Sequence, residues 1–345
     1  MYVLGIESSC DETSASIVSD SKKVLSNVVY SQINEHLFFG GVVPEIAARS
    51  HLEKIDIVVR EALSDASLDI SEISAVAGTC GPGLIGGVIV GATFAKTIAM
   101  ARNIPFIAVN HIEAHAISVR ITEDIEFPYL LMLLSGGHCQ TCLVYDIDNF
   151  QIIGRTVDDS AGESFDKVAK LLSIGYPGGP AIEKVSLQGN EKAFPLPRPL
   201  CNKESCNFSF TGLKTAVRIA SEKCNSMQDK MDLCASFQKT VVEIMSYKLK
   251  QAIDVSCKRI KAVALSGGVA ANQAIRSALR DICENHSLRF CAPPIKFCTD
   301  NGAMIAWMGV EKLQRGQISD LRFPPRPRWN LQEDFMNANY GLEVM

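Results

Sequence analysis

The chain has 345 residues, of which 47% are hydrophobic and 21% charged, and its formal net charge is −4. A chain of this length exceeds one average domain and predicts two, and its composition is that of an ordinary soluble globular protein. The slightly acidic balance argues against a strongly basic protein that binds nucleic acid unaided, although it allows a local basic patch or a basic partner.

The twelve cysteines are scattered, and only Cys139 and Cys142 have C-x-x-C spacing, so no second pair completes a zinc knuckle. This usage indicates reduced thiols in a cytosol-like compartment, and the first residues show no secretory or transit pattern. Residues 73–95 carry no charge, but a Gly-Pro-Gly and a Gly-Gly sequence interrupt them. The stretch is therefore predicted to be strand, loop and buried helix rather than a membrane span.

The chain opens with three predicted strands, Met1–Glu7, Ala15–Val18 and Lys22–Tyr30, with the polar turn Ser8–Thr13 after the first. A strand, a small polar turn and a returning strand can wrap backbone N–H groups around an anion. Asp11 in this turn could orient a water or a cation beside a phosphate. A plain hairpin turn uses the same residue types, so both interpretations stay open.

The next predicted elements alternate between helix and strand. They are the helix Glu45–Leu63, the strand Ile73–Ala77, a glycine-rich turn Thr79–Leu84, the helix Gly87–Ala101 and the strand Ile104–Asn110. The order β-β-β-α-β-α-β predicts a layered α/β domain over residues 1–110.

The segment His111–His115 follows directly. Two histidines four residues apart lie on one face of a helix and could hold one cation. The pair is similar to a zinc-protease signature, but Glu113 lies two residues after His111, about 200° around a helix. The spacing therefore favours a metal site over a protease, with two ordinary helix histidines as the alternative.

The opening pattern then recurs in the second half of the chain. The strand Tyr129–Leu134 is followed by the turn Ser135–His138 and by returning strands at Gln140–Tyr145 and Phe150–Arg155. The halves share no strong sequence identity, so this is a repeat of pattern rather than of residues.

A Gly-Gly turn, Ser266–Ala270, joins the predicted strand Lys261–Leu265 to a helix that starts at Asn272. Such turns are where α/β folds bind nucleotides. Six basic residues could contribute phosphate contacts, although a solvated surface charge is the more common role of such residues: Lys248, Lys250, Lys258, Arg259, Arg326 and Arg328.

Two strand-hairpin loops and a Gly-Gly turn that opens a helix resemble the ATP-binding fold of actin, hexokinase and the large heat-shock chaperones. Six motifs in order, from Met1 to about Trp329, resemble the tRNA N6-adenosine threonylcarbamoyltransferase family. They are Gly5–Thr13, His111–His115, Ser135–His138, Phe165–Lys167, Tyr176–Pro180 and Cys298–Gly302. The resemblance implies a two-lobed α/β fold of duplicated RNase H-like domains with an interlobe cleft. We expect residues 1–110 with about 300–345 in one lobe, and 111–299, with the metal and substrate-binding elements, in the other.

The same resemblance implies transfer of a threonylcarbamoyl group from threonylcarbamoyl-AMP to N6 of adenosine 37, in tRNAs that read codons starting with A. It places metal ligands at His111, His115 and Asp300, and a His/His/carboxylate site suits Fe²⁺ or Zn²⁺. It places substrate contacts at Leu134, Ser135, Gly136, Gly137, His138, Asp166, Gly179, Glu183 and Asn272. Asp11 is the candidate for ordering phosphate or assisting proton transfer.

Implied partners are tRNA, a paralogous actin-like subunit and a small P-loop ATPase, with a separate synthase that makes the adenylate and with no membrane. The Ser-Gly-Gly-His form of the second turn resembles the bacterial and mitochondrial branch, and a bacterial cytoplasm is the expected location. A metalloprotease that cleaves sialoglycoproteins is the alternative function. A non-catalytic actin-like scaffold is opposed by the presence of all three metal residues.

Overall fold

The computed structural model describes residues 1–256 and 260–331. It divides into two compact units. The first consists of Met1–Asp124, Asp146–Phe150 and the chain from Thr299 onward, and the second of Ile125–Tyr145 and Gln151–Cys298. Lys258 and Arg259, two of the basic residues considered above, lie outside the described residues.

The strands of the described residues are, in chain order, β1 (Tyr2–Glu7), β2 (Glu12–Ser19), β3 (Val24–Ser31), β4 (Ala75–Gly81), β5 (Phe106–Asn110), β6 (Tyr129–Leu134), β7 (Cys139–Asp146), β8 (Asn149–Arg155), β9 (Ala262–Ser266) and β10 (Arg289–Cys291). The α-helices are α1 (Ile33–Leu37), α2 (Pro44–Ala66), α3 (Ile85–Arg102), α4 (His111–Ile117), α5 (Val119–Thr122), α6 (Ala161–Leu172), α7 (Gly178–Ser186), α8 (Thr211–Ser221), α9 (Met227–Val255), α10 (Gln273–Asn285) and α11 (Gly302–Gln314).

Each unit is built on one five-stranded mixed sheet, and the two sheets have the same strand order. The first runs β3-β2-β1-β4-β5 and the second β8-β7-β6-β9-β10. In both, the first strand of the unit pairs antiparallel with its hairpin partner and parallel with the fourth strand. The predicted repeat of pattern is therefore confirmed. The strand β10 was not predicted, because three residues are too few to show a period.

The first sheet is buried on both faces. Leu4, Ile6 and Val76 lie in a core with residues of α2 and α3, while α11 packs against β1 and β4. Strands covered on both faces are expected to be apolar throughout, as β1 and β4 are. The exceptions are Glu7 at the end of β1 and Thr79 in β4, and both are fully buried.

Among the described residues, α3 is the helix long and apolar enough to span a membrane, with a mean hydropathy of 1.3. One such helix is weak evidence, since the core helix of a soluble protein passes the same test. Small residues of α3 pack on the sheet: a Cβ added to Gly78 of β4 would lie 2.7 Å from Cβ of Ala95. This packing agrees with the predicted buried helix.

The structure corrects the predicted boundary between the units at residues 111–124. These residues were expected in the second lobe, but they belong to the first unit. The reason is that β5 runs directly into α4, whose seven residues are all buried and pack against α11. The two histidines of the expected metal site were therefore assigned to the wrong unit, whereas Asp300 lies in the expected one.

The structure also corrects the suggestion that Lys248 contacts phosphate. Its side chain is fully buried, and Nζ donates to the carbonyl oxygen of Leu200 at 2.8 Å and to Oε1 of Gln251 at 3.0 Å. Burial lowers the pKa of this ammonium group. Lys248 therefore stabilises the irregular segment before α8.

All cysteines of the described residues are free thiols.

Close packing at Gly5 gives a test of this architecture. A Cβ on Gly5 would lie 2.3 Å from the backbone nitrogen of Ala306 and 2.4 Å from the carbonyl oxygen of Gly302, so β1 and α11 would have to separate. We expect Gly5→Ala to lower the free energy of unfolding by about 3 kcal/mol, measured by denaturant titration. Gly41→Ala is the matched control, because a Cβ there meets nothing within 4 Å. Equal stability of the two variants would contradict this packing.

Candidate active site

The helix α4 begins where β5 ends because Asn110 caps it. The Asn110 side-chain oxygen accepts hydrogen bonds from the backbone N–H groups of Ile112, at 2.8 Å, and Glu113, at 3.3 Å. Such a cap satisfies amide groups that have no partner within the helix. It also fixes the first turn, so that His111 and His115 stand one turn apart with ring centroids at 4.6 Å.

Asp300 reaches the two histidines from the loop before α11. The backbone N–H of Gly302 donates to Oγ of Ser14 at 2.8 Å, which docks the start of α11 on β2. Oδ1 of Asp300 then lies 3.0 Å from Nε2 of His115 and 3.6 Å from Nε2 of His111. One ligand atom from each of the three residues lies within 4.8 Å of the others, which is a geometry able to hold a metal ion.

Glu7 sets the orientation of the His111 ring. Its Oε2 lies 3.0 Å from Nδ1 of His111, and the same oxygen accepts from the hydroxyl of Thr79 at 2.7 Å. A carboxylate that accepts from Nδ1–H fixes the tautomer and leaves the Nε2 lone pair for a metal. Burial raises the pKa of Glu7, but the charge and hydrogen bond of His111 outweigh burial, so the net pKa lies below its usual value.

The residues present fit a metal ion in two further respects. Nδ1 of the buried His115 has no hydrogen-bond partner among the described residues, so Asp300 is the polar group that holds this ring. Burial raises the pKa of Glu12 well above its usual value, and the negative charges of Asp300 and Asp11 raise it further. A bound cation would offset this concentration of carboxylates.

Glu113, the residue that a zinc protease would need as its base, points elsewhere. Its Oε2 lies 3.2 Å from Nζ of Lys312 on α11, and its side chain is 2% exposed. The predicted position on the opposite face from the histidines is thus confirmed. The protease alternative loses its catalytic base.

The turn between β1 and β2, which contains Asp11, is held in place by His51 of α2. Nε2 of His51 lies 3.0 Å from the carbonyl oxygen of Cys10, and Nδ1 lies 2.8 Å from Oγ1 of Thr13. Burial raises the pKa of the Cys10 thiol, and the negative charges of Asp11 and Asp300 raise it further.

In the second unit, glycines bring the predicted anion loop together with its neighbours. The backbone N–H of Ser135 donates to the carbonyl oxygen of His138 at 2.7 Å, closing a tight turn that leaves Gly136 and Gly137 exposed. A Cβ on Gly267 would lie 2.5 Å from the carbonyl oxygen of Leu134, so the Gly-Gly turn after β9 packs directly on this loop. Gly267 has φ of 92°, which only glycine adopts without strain.

Asp166 and Glu183 each hold a neighbouring helix start. Oδ1 of Asp166 accepts from the backbone N–H of Gly178 at 2.6 Å, beside the unobstructed Gly179. Oε1 of Glu183 accepts from the backbone N–H of Gln273 at 2.7 Å. Each carboxylate therefore uses one oxygen to position backbone, which the sequence analysis did not foresee.

Asn272 caps α10, with its side-chain oxygen 3.1 Å from the backbone nitrogen of Ile275. Its side-chain amide donates to Oε1 of Gln238 at 2.9 Å. The predicted substrate residues of the second unit thus form one connected group, from the Leu134–His138 loop through the Gly267 turn and α10 to α7 and α6.

Sequence reasoning missed the buried residues that orient this site. Glu7, His51 and Asn110 were assigned no role, yet they hold a metal-site histidine, the polar turn and the histidine helix. A carboxylate at the end of an otherwise apolar strand was the available signal for Glu7. A buried charge needs a partner, so a histidine elsewhere in the chain should have been sought.

Solved structures define the class of protein. The chain is similar to HypF from T. kodakarensis, with a TM-score of 0.61 at 14% identity over 92% of this chain and 48% of that one. It is also similar to component A of the (R)-2-hydroxyglutaryl-CoA dehydratase of Acidaminococcus fermentans, with a TM-score of 0.53 at 15% identity over 91% and 99% of the two chains. With the repeated sheet order, these likenesses define an α/β protein of the actin and hexokinase fold class, as predicted.

The family follows from closer matches. The family model described as tRNA N6-adenosine threonylcarbamoyltransferase matches residues 23–307. Relatives of that name are 51% identical in Paramagnetospirillum magneticum, over 96% of this chain and 97% of the relative, and 49% identical in Rhodospirillum rubrum, over 97% and 96%. The chain belongs to the tRNA N6-adenosine threonylcarbamoyltransferase family. The predicted family and transferase class are confirmed.

His51 makes the stability of this site dependent on pH. Burial lowers the pKa of His51 below its ordinary value. The stability that the neutral ring contributes is therefore present above its unfolded pKa of about 6.5 and is lost as the pH falls through the folded pKa. We expect His51→Gln to reduce the drop in Tm between pH 7 and pH 5, measured by differential scanning fluorimetry. His286→Gln, which alters an exposed histidine of the second unit, should leave that drop unchanged.

Proposed function

We propose that this chain forms N6-threonylcarbamoyladenosine at position 37 of tRNAs that read codons starting with A. It transfers the threonylcarbamoyl group from threonylcarbamoyl-AMP to N6 of the adenosine and releases AMP. His111, His115 and Asp300 hold one divalent metal during this reaction. The observation that carries the proposal is the His/His/Asp group oriented by Glu7, in a chain of this transferase family.

Each residue has a part in this chemistry. When bound, the metal supplies a Lewis acid for the carbamoyl carbonyl group. Glu7 keeps the proton of His111 on Nδ1. The loop Ser135–His138 binds the phosphate or the carbamoyl oxygen through its exposed backbone N–H groups at Gly136 and Gly137, and Asp166, Glu183 and Asn272 bind ribose or base. Asp11, in the turn near Asp300, orders the phosphate or takes the proton that N6 loses.

The donor set limits the choice of metal to a small group. Two imidazoles and one carboxylate with open positions suit Fe²⁺ and Zn²⁺, whereas Ca²⁺ and Mg²⁺ prefer all-oxygen ligands. We infer one such ion in each chain. Metal analysis of protein purified without added metal distinguishes iron from zinc.

We infer that the chain works in the cytoplasm with other proteins. The proposed partners are a paralogous subunit of the actin-like fold and a small P-loop ATPase, with a separate synthase that supplies threonylcarbamoyl-AMP. The formal net charge of −4 supports this inference, because an acidic chain that acts on tRNA benefits from partners that supply basic surface.

Removal of two ligands tests reaction and site together. We expect His111→Ala combined with Asp300→Ala to abolish transfer from threonylcarbamoyl-AMP to a transcribed tRNA that reads ANN codons, and to reduce the bound metal to background. The measurement is mass spectrometry of digested tRNA, with metal content determined on the same samples. Modified adenosine at the wild-type rate in the double variant would refute the assigned ligands. No product from the wild type with its assembled partners would refute the reaction.

The orienting role of Glu7 gives a second test. Glu7→Gln keeps the shape of the side chain but removes the negative charge that holds the His111 proton on Nδ1. We expect the dissociation constant for Zn²⁺ to rise by about 10- to 100-fold, measured by chelator competition. Thr79→Val is the matched control, because it removes another donor to the same oxygen and leaves the contact with His111 in place. An equal loss in both variants would contradict a specific role for the Glu7 charge.

A further inference from the structure

The most exposed large hydrophobic side chain of the described residues lies in the loop between α1 and α2. Phe38 is 93% exposed, and its neighbours Leu37 and Phe39 are 53% and 51% exposed. The phenyl rings of Phe38 and Phe39 meet edge to face, with centroids 5.6 Å apart. Three consecutive exposed apolar residues are unfavourable in water unless they bind something. We call Leu37, Phe38 and Phe39 the aromatic loop.

The backbone of the aromatic loop is held by hydrogen bonds. The exposure of its side chains is therefore a property of an ordered turn and not of a frayed helix end. His36 is fully buried; its Nε2 lies 3.1 Å from Oε1 of Gln32, and its Nδ1 accepts from the backbone N–H of Val43 at 3.3 Å. The backbone N–H groups of Phe39 and Gly40 donate to the carbonyl oxygen of His36. The rings therefore stand on an ordered turn.

The anchor of the aromatic loop is continuous with the turn that holds Asp11. The backbone N–H of Gln32 donates to the carbonyl oxygen of Asp11 at 3.0 Å, and Nε2 of Gln32 lies 3.3 Å from Nδ1 of His51. His51 in turn contacts the carbonyl oxygen of Cys10. Three side chains, His36, Gln32 and His51, thus connect the exposed rings to the polar turn of the candidate active site within the first unit.

The chemistry of the aromatic loop fits a nucleobase. Residues 33–45 contain no lysine or arginine and two glutamates, so they offer no attraction to phosphate. The patch of three side chains is also much smaller than the roughly 800 Å² that each partner contributes to a standard protein interface. Its area and π faces match one or two base rings, and unpaired bases in RNA loops are recognised by stacking on aromatic side chains.

We propose that Phe38 and Phe39 stack on bases of the tRNA anticodon loop beside the adenosine that is modified. This inference rests on the proposed function, in which that adenosine must leave the base stack to reach the donor. The neighbouring bases then lose a stacking partner, and the aromatic loop replaces it. The described residues include three exposed aromatic side chains, Phe38, Phe39 and Tyr247. Phe38 and Phe39 belong to the first unit, which also contains the metal-site residues, whereas Tyr247 belongs to the second.

Two double variants separate stacking from a general apolar contact. Phe38→Tyr with Phe39→Tyr keeps both π faces, whereas Phe38→Leu with Phe39→Leu keeps apolar volume and loses them. We expect the leucine variant to raise KM for tRNA, and Kd for an anticodon stem-loop, by about tenfold or more, with kcat and Tm near wild type. The tyrosine variant should stay within about twofold of wild type. Leu187→Ala, which alters an 81% exposed side chain of the second unit, is the control.

Salt and fluorescence give independent readouts. Because stacking releases no counterions, the ratio of leucine-variant to wild-type Kd should be the same in low and high salt. A stem-loop with 2-aminopurine next to the target adenosine should change fluorescence on binding wild type but not the leucine variant.

If the wild type makes product but the leucine variant matches it in KM, Kd and fluorescence, stacking is refuted. If the leucine variant loses only a protein partner, the loop is a protein contact and the proposal is wrong. A wild type without product refutes the proposed function instead, while the binding and fluorescence comparisons still test stacking.

Discussion

The contact between Glu7 and His111 is the interaction on which the first unit depends. A carboxylate at the end of a strand buried on both faces is costly unless it is fully paired. Here the Glu7 carboxylate accepts hydrogen bonds from the backbone N–H of Ser9, the hydroxyl of Thr79 and the His111 ring. Each of these partners comes from a different segment, so the sheet, the polar turn and the histidine helix must all be in register before the charge is satisfied.

The two units show one topology with two chemistries. Both place a turn between their first two strands, in sheets of the same order. In the first unit that turn carries Cys10 and Asp11 and is followed by Glu12, the first residue of β2, so carboxylates dominate. In the second it is Ser135–His138, where exposed glycines present backbone amides. The same topology thus carries a His/His/Asp group and nearby carboxylates in one unit, and a loop with exposed glycines in the other.

Much of the fold was predictable because it depends on local patterns. Alternating strand and helix signals, glycine-rich turns and the repeat after Tyr129 gave the α/β class and most elements. The unit to which α4 belongs was not predictable, since it depends on packing against α11, nearly two hundred residues later. The histidine pair was visible from its spacing. Glu7 and His51 were not assigned a role, because their partners are distant in sequence. Asp166 and Glu183 were identified from motifs, but their backbone contacts required the structure.

The side chain of Asn110 faces two ways, and this has a consequence for how the protein is made. Its oxygen caps the histidine helix, while its nitrogen donates to the carbonyl oxygen of Trp329 at 3.2 Å. The end of β5 and residue 329 therefore meet at one helix terminus. During synthesis on a ribosome, the Asn110 amide cannot make this contact until residue 329 has left the exit tunnel, and Asp300 emerges only shortly before. The group formed by His111, His115 and Asp300 is therefore assembled only late in synthesis.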